Sequence, residues 1–157
     1  MDKIMNKLLI TCMLATSVVA DEVLTRDERV VALTILGEAR GEGKIGMYAV
    51  ACVIQKREGK LTPAKVCQKK WQFSIWNGTD RQGKYRLKKE SELYYLWDSK
   101  EKMYARELAR ALCSGRKFCQ EITGHADHYC TLQTTPYWAK RFKPTKIIGN
   151  HKFYKLK

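Results

Sequence analysis

The sequence has little negative charge. Its 157 residues include 16 aspartates and glutamates against 30 lysines and arginines, which gives a formal net charge of +14. A protein with this charge is attracted to polyanions and repelled by other cationic surfaces. The composition therefore indicates a polyanionic partner, such as a cell-wall polymer, a nucleic acid or an anionic membrane, and does not distinguish between them.

The sequence also lacks an apolar run long enough to cross a bilayer. The uncharged stretch at residues 8–20 is too short to span about 30 Å of hydrocarbon as a helix. It follows a short basic segment and ends in a small residue, Ala20. This pattern predicts a secretory signal peptide at residues 1–20, cleaved near Ala20, and a secreted or periplasmic protein with no stable membrane span. An uncleaved anchor and acylation at Cys12 stay open as alternatives, although Thr11 makes a poor lipoprotein signal.

No internal repeat, linker or low-complexity segment interrupts residues 21–157, which predicts one domain. Thr25 and Glu28 fit a capping box at the start of a helix over about 26–39. Further helices are expected at about 44–58, at 63–67 and across 94–112. A structured loop is expected at 71–80, an exposed basic stretch at 81–89, and a small hairpin or extended finger at 146–154. The expected class is α+β with helices dominant.

An odd number of cysteines follows the leader. They are Cys52, Cys67, Cys113, Cys119 and Cys130. Export favours disulfides, and five cysteines allow at most two bridges within the chain. Cys113 and Cys119 flank a short turn-rich loop and are the first candidates for a pair.

Histidine is scarce, with three residues in the chain. His125, His128 and Cys130 could be read as the metal-ligand pattern His-x-x-His-x-Cys. No fourth ligand has convincing spacing, and an oxidising compartment favours a disulfide at Cys130. No metal and no cofactor is therefore expected.

One acidic residue lies where an apolar residue is expected. Glu38 follows Val31, Thr34 and Ile35 at helical spacing, so its side chain shares the mostly apolar face of the first predicted helix. Burial and the negative end of the helix dipole would both favour its protonated form. A protonated carboxyl in a groove is what cleavage of a glycosidic bond requires. Spacing alone also allows an exposed Glu38 paired with Arg40.

Motifs in a fixed order extend from about Val30 to Tyr154, and the sequence resembles the SleB-type cell-wall hydrolases. No single motif is specific, and the resemblance rests on their order. The matching residues are Glu38-Ala39-Arg40-Gly41-Glu42, Ala49-Val50, Gln72-Phe73-Ser74 with Trp76, Ala111-Leu112, Ala126 with His128-Tyr129, Pro136 with Trp138-Ala139, and Ile148-Gly149 with His151 and Phe153-Tyr154.

The resemblance implies a lysozyme-like domain that cleaves peptidoglycan between N-acetylmuramic acid and N-acetylglucosamine. It implies a lytic transglycosylase that acts on glycan strands with Glu38 as its single catalytic acid. The positive charge would hold the protein on anionic wall polymers. We expect a monomer, without nucleic acid as a partner. Glu42, the neighbouring acid, lies beyond Gly41 and is expected to bind a cation or to cap the next helix. The residues carried over as substrate-binding are Gln72, Phe73, Ser74, Trp76, His128, Tyr129 and Tyr154.

The sequence departs from the family pattern at Asp127, where the family often has threonine. Asp127 is therefore a candidate second acid, which would make the protein a true muramidase that uses water. Two other hypotheses stay open. One is a cationic wall-binding protein without turnover, and the other is a basic ribonuclease with His128 and His151 as its acid-base pair.

Overall fold

The first helix, α1 (Arg26–Ala39), is the centre of the fold. In the computed structural model, which describes residues 23–157, every side chain from Val30 to Leu36 is fully buried. A helix that is apolar on all sides is buried on all sides. It packs against α2 (Gly43–Arg57), α3 (Pro63–Gln68), α4 (Lys102–Cys113) and a 3-10 helix. The predicted signal peptide at residues 1–20 lies outside the described residues.

Side-chain caps start two of these helices, and the first of them is the capping box that the sequence predicted. The Thr25 hydroxyl accepts from the Glu28 backbone N–H at 3.3 Å, and the Glu28 carboxylate accepts from the Thr25 N–H at 2.8 Å. Thr62 caps α3 through the Lys65 N–H at 3.4 Å, with Pro63 as the first helical residue. Each cap satisfies a backbone donor that the first turn of a helix leaves without a partner.

Two small antiparallel sheets complete the domain. The first pairs β1 (Asn77–Thr79) with β2 (Tyr85–Leu87). The second contains β3 (His128–Thr131), β4 (Lys146–Ile148) and β5 (His151–Tyr154) in the order β3-β5-β4. The helix-dominated α+β class and the C-terminal hairpin are confirmed. The predicted loop at 71–80 and the predicted exposed stretch at 81–89 are partly wrong, because they contain β1 and β2.

The helical region predicted across 94–112 is two elements. A 3-10 helix, Glu90–Asp98, ends at Ser99, whose backbone is extended. The Ser99 hydroxyl accepts from the Glu101 N–H at 3.3 Å and donates to the Glu101 carboxylate, which stabilises this break before α4. Apolar spacing continues across the break and therefore did not reveal it.

All five cysteines of the described chain are free thiols, so the expected Cys113–Cys119 pair is wrong. The segment after α4 docks on α2, where the Phe118 and Cys119 N–H groups donate to Gln55 and to the Tyr48 hydroxyl, both at 2.9 Å. Cys119 is thereby exposed, and its thiol donates to the Glu121 carboxylate.

Burial, complete for Cys52 and Cys67 and partial for Cys113, keeps these three thiols protonated. It raises the pKa of Cys52 and of Cys67 to about 12 and that of Cys113 to about 11. These three side chains act as small apolar groups that fill space around α1. In the part of the chain that the structure describes, no helix is long and apolar enough to cross a membrane.

Candidate active site

Glu38 lies in the last turn of α1, where donors from two other segments meet its carboxylate. Oε1 accepts from the Ser74 hydroxyl at 3.2 Å and from the Ile75 backbone N–H at 3.1 Å. Oε2 accepts from the Tyr129 hydroxyl at 2.8 Å. The three donors come from two segments of the chain and approach both carboxylate oxygens, so they hold the carboxylate in one orientation.

A glycine in the helix interior lets the segment at 74–76 approach Glu38. A Cβ built on Gly37 would lie 2.3 Å from Cγ1 of Ile75 and 2.9 Å from its Cβ. Glycine inside a helix costs about 0.5–1 kcal/mol relative to alanine, so its presence needs a reason. The reason here is space for Ile75, whose N–H donates to Glu38.

Gly37→Ala is expected to lower activity about tenfold or more and to destabilise the fold by about 1–3 kcal/mol, the usual cost of overpacking. The added methyl would displace Ile75 and its hydrogen bond to Glu38. Turnover on peptidoglycan and urea unfolding measure the two effects. Gly41→Ala is the matched control, since within the described chain no atom beyond its two sequence neighbours lies within 4 Å of its added Cβ. A Gly37→Ala protein as active and stable as the Gly41→Ala protein would contradict the role given to Gly37.

Tyr129 stays a hydrogen-bond donor over the whole physiological pH range. Burial raises the pKa of Tyr129 well above its usual value, and the negative charge of Glu38 raises it further. On β5, the neighbouring strand, the imidazole of His151 packs edge-on against the Tyr129 ring, with centroids 5.0 Å apart. The position of the hydroxyl is therefore set by packing as well as by its bond to Glu38.

Glu38 opens into a groove with a volume of about 330 Å³. Its walls come from the end of α1, the segment before β1, and strands β3 and β5. Beside Glu38 the lining residues are Arg57, Trp71, Gln72, Ser74, Asn77, Tyr129, Cys130, Thr131, Thr134 and His151. The groove is open to solvent and polar, which suits a hydroxyl-rich polymer.

Comparison with known proteins assigns the chain to a family. The sequence profile of the cell wall hydrolase family matches residues 41–154. The chain belongs to the cell wall hydrolase family. The match begins three residues after Glu38 and includes the other residues that line the groove. Membership makes the protein an enzyme of the cell wall that acts on peptidoglycan.

A solved structure shows the same fold. The catalytic domain of the Bacillus cereus SleB protein matches with a TM-score of 0.55 and 24% sequence identity, over 86% of this chain and 94% of that domain. The lysozyme-like α+β fold expected from the SleB resemblance is confirmed in this way. A search of curated proteins found no match.

The structure brings four of the predicted site residues together in this cell wall hydrolase. Glu38, Gln72, Ser74 and Tyr129 line one groove. They come from α1, from the segment after α3, and from β3. Motifs that are far apart in the sequence therefore contribute residues to the same groove.

Two predicted substrate-binding aromatics lie in the core instead. Phe73 and Trp76 are each 1% exposed. The Trp76 indole donates to the Thr34 hydroxyl on α1 at 2.8 Å, and Thr34 in turn donates to the Val30 carbonyl. Because their rings have no open face, they cannot stack on a sugar. Phe73 and Trp76 instead anchor the segment whose residues Ser74 and Ile75 donate hydrogen bonds to Glu38.

His128 and Tyr154 do not line the groove either. The two residues pair across β3 and β5, and both rings contact Trp138 at the far side of the sheet. Tyr154 is buried in a small cluster with Cys130 and Ala139. Their position assigns them to sheet packing.

Asp127, the candidate second acid, binds the C-terminal backbone. Its Oδ1 accepts from the Leu156 N–H at 2.9 Å and lies 2.9 Å from His128 Nδ1, and its Oδ2 accepts from the Lys157 N–H at 3.0 Å. Burial alone would raise the pKa of Asp127, but these hydrogen bonds lower it below its usual value of 3.8. Asp127 is absent from the groove lining, so the geometry favours a structural role.

Asp127→Asn is expected to lower the free energy of unfolding by about 1–2 kcal/mol at neutral pH, since an amide cannot accept all of these bonds. The folded-state pKa is depressed, so the carboxylate stabilises the protein above pH 3.8 and loses this effect as the pH falls through the depressed pKa. Unfolding measured against pH should therefore be less acid-sensitive in the variant than in an exposed control, Asp98→Asn. Activity should stay within about twofold. A loss of a hundredfold in kcat would instead identify Asp127 as a second acid.

Arg57 and His151 also line the groove. The sequence did not single out Arg57, and it offered His151 as a motif residue and as half of a ribonuclease acid-base pair, not as part of a glycan-binding groove. Lys56 and Glu58 flank Arg57 near the end of α2, a charged context that is typical of a solvated helix end, but the Arg57 side chain is half-buried. Its guanidinium donates to the Asp127 carbonyl at 2.6 Å and the Gln72 carbonyl at 3.1 Å, over the ring of Phe73. His151 is 6% exposed, and its Nδ1 has no hydrogen-bond partner among residues 23–157.

The metal-ligand pattern is dispersed. His125 is exposed beside Glu121, His128 pairs with Asp127, and the thiol of Cys130 donates to the Thr134 carbonyl. Among residues 23–157, no three His, Cys, Asp or Glu side chains lie close enough to share a metal ion.

Proposed function

We propose that this cell wall hydrolase is a lytic transglycosylase that cleaves peptidoglycan between N-acetylmuramic acid and N-acetylglucosamine. The observation that carries the proposal is the lone carboxyl group of the groove. Among the described residues that line it, Glu38 is the one acid. Hydrolysis by the usual mechanisms needs two carboxylates, one on each side of the scissile bond. A transglycosylase needs one.

Glu38 would act first as the acid and then as the base. As an acid it protonates the glycosidic oxygen, and the bond to the muramic C1 breaks. As a carboxylate it then takes the proton of the muramic 6-hydroxyl, whose oxygen bonds to C1 and closes a 1,6-anhydro ring. Glu38 ends protonated as it began, and no water is consumed. Because Oε1 already accepts two hydrogen bonds and Oε2 accepts one, Oε2 has room for the transferred proton.

The groove lining supports a polysaccharide substrate. Gln72, Thr131 and Thr134 offer amide and hydroxyl groups that both donate and accept. These groups match sugar hydroxyls and acetamido groups. The net charge of +14 would hold the enzyme on anionic wall polymers and raise its local concentration there. Secretion through the predicted leader and action as a monomer belong to the same proposal.

The products of wild-type protein acting on purified peptidoglycan test the reaction type. Mass spectrometry of the soluble fragments should show anhydro-muramic ends, each lighter by one water than a reducing end. Reducing muramic ends would make the enzyme a muramidase. Absence of any fragment, with the protein bound to the wall, would make it a binding protein.

A further inference from the structure

We propose that Trp71 is the stacking platform for one sugar ring of the glycan strand, in a subsite adjoining Glu38. This inference rests on the proposed function, because it names a residue that binds the same substrate. Trp71 is 64% exposed and lines the groove together with Glu38. An exposed tryptophan beside a polar groove offers a flat apolar face, and the C–H groups of a pyranose ring present a matching apolar face.

The backbone of Trp71 is held in a conformation that favours glycine. Its φ of +65° lies in the left-handed region, where a bulky side chain is a genuine outlier. Such outliers persist where the surrounding structure holds them, and they are concentrated at functional sites. Here the conformation turns the indole outward, while the next two residues place Gln72 in the groove and Phe73 in the core.

Two neighbours hold the indole in place before any ligand arrives. The Tyr85 ring from β2 packs on Trp71 with centroids 4.7 Å apart and planes tilted by 50°. The Lys70 ammonium lies 5.5 Å from the Trp71 ring centroid and 4.8 Å from that of Tyr85, which bridges the two rings. A side chain that is already ordered loses less entropy on binding. The β1–β2 hairpin therefore supports the subsite.

The first test separates binding from turnover. In a Glu38→Gln protein, which binds without cleaving, glycan strands freed of peptide should change the tryptophan fluorescence. Adding Trp71→Ala should raise the dissociation constant about fivefold to tenfold, the range of an aromatic contact. Adding Trp71→Phe should keep most of the affinity but lose the fluorescence change. Tyr95→Ala, at an exposed aromatic outside the groove lining, is the matched control and should alter neither.

The second test uses the active enzyme. Trp71→Ala should raise KM about fivefold to tenfold and leave kcat within about twofold, since the platform holds the strand and transfers no proton. Tyr85 is a positioning residue, so Tyr85→Ala should raise KM by a smaller factor and Tyr85→Phe should restore it. Trp71→Gly is the control for a rise in KM that is caused by destabilisation of the fold. It relieves the left-handed backbone, so its melting temperature should equal or exceed that of Trp71→Ala, while its KM rises equally.

The outcomes distinguish the platform from the proposed function. Unchanged KM and dissociation constant in Trp71→Ala, with cleavage intact, would overturn the platform and leave the transglycosylase standing. If the unaltered enzyme releases no fragments, the proposed function fails. The dissociation constants of the Glu38→Gln proteins with and without Trp71→Ala then test the platform independently. A KM that rises only in those Trp71 variants whose melting temperature falls would also overturn it.

Discussion

Glu38→Gln is expected to lower kcat on peptidoglycan about a thousandfold, within the range that a positioned acid-base group contributes. Glutamine has the same shape, and its amide oxygen can still accept from the Ile75 N–H, which lies 3.1 Å from Oε1 in the unaltered protein. It has no proton that it can transfer to the leaving oxygen. The release of soluble fragments per enzyme and minute measures the effect, and unfolding curves should match those of the unaltered protein.

Glu42→Gln is the matched control, four residues further on. The Glu42 carboxylate accepts from the Asn150 N–H at 2.6 Å in the β4–β5 turn, and it is absent from the groove lining. The glutamine oxygen can keep that bond, so activity should stay within about twofold. A Glu38→Gln enzyme that keeps a tenth or more of the normal rate would show that Glu38 is not the catalytic acid.

Arg57→Met is expected to destabilise the protein by about 2–4 kcal/mol, because it leaves the carbonyls of Asp127 and Gln72 without their donor. These two bonds join the end of α2 to the segment before β3 and to the segment that carries Ser74. The cation over the Phe73 ring is lost as well. Urea unfolding measures the stability, and kcat should fall too, since the donors to Glu38 lie on the loosened segment.

Lys56→Met changes the charge and length of the adjacent residue, which is exposed, and should leave stability within about 0.5 kcal/mol. Arg57→Lys should recover part of the loss, because an ammonium can reach one carbonyl but cannot match the fork of a guanidinium. If Arg57→Met were as stable as Lys56→Met, Arg57 would be a solvated residue, as its sequence context suggested.

Local signals predicted much of this fold. The capping box at Thr25 and Glu28 and the proline after Thr62 mark helix starts, because a cap depends on residues three positions apart. The half-buried acid at Glu38 was visible as an acid on an apolar face. Each of these features depends on residues within one or two helical turns of each other, where closeness in sequence implies closeness in space.

Features decided by distant contacts could not be predicted in the same way. Strand β3 forms only because β5 pairs with it more than twenty residues later. Arg57 at the end of α2 looks like any charged helix terminus until the Asp127 and Gln72 carbonyls reach it. Trp71 and Trp76 share the same residue type and the same segment, and only packing shows that one is exposed and the other buried.

Cleavage of peptidoglycan in water labelled with heavy oxygen tests the single-acid account most directly. If Glu38 alone drives ring closure by the muramic 6-hydroxyl, no label enters the new muramic ends, and all of them are anhydro. Label at those ends would show that water attacks C1, which requires a second group to activate the water and would contradict the account.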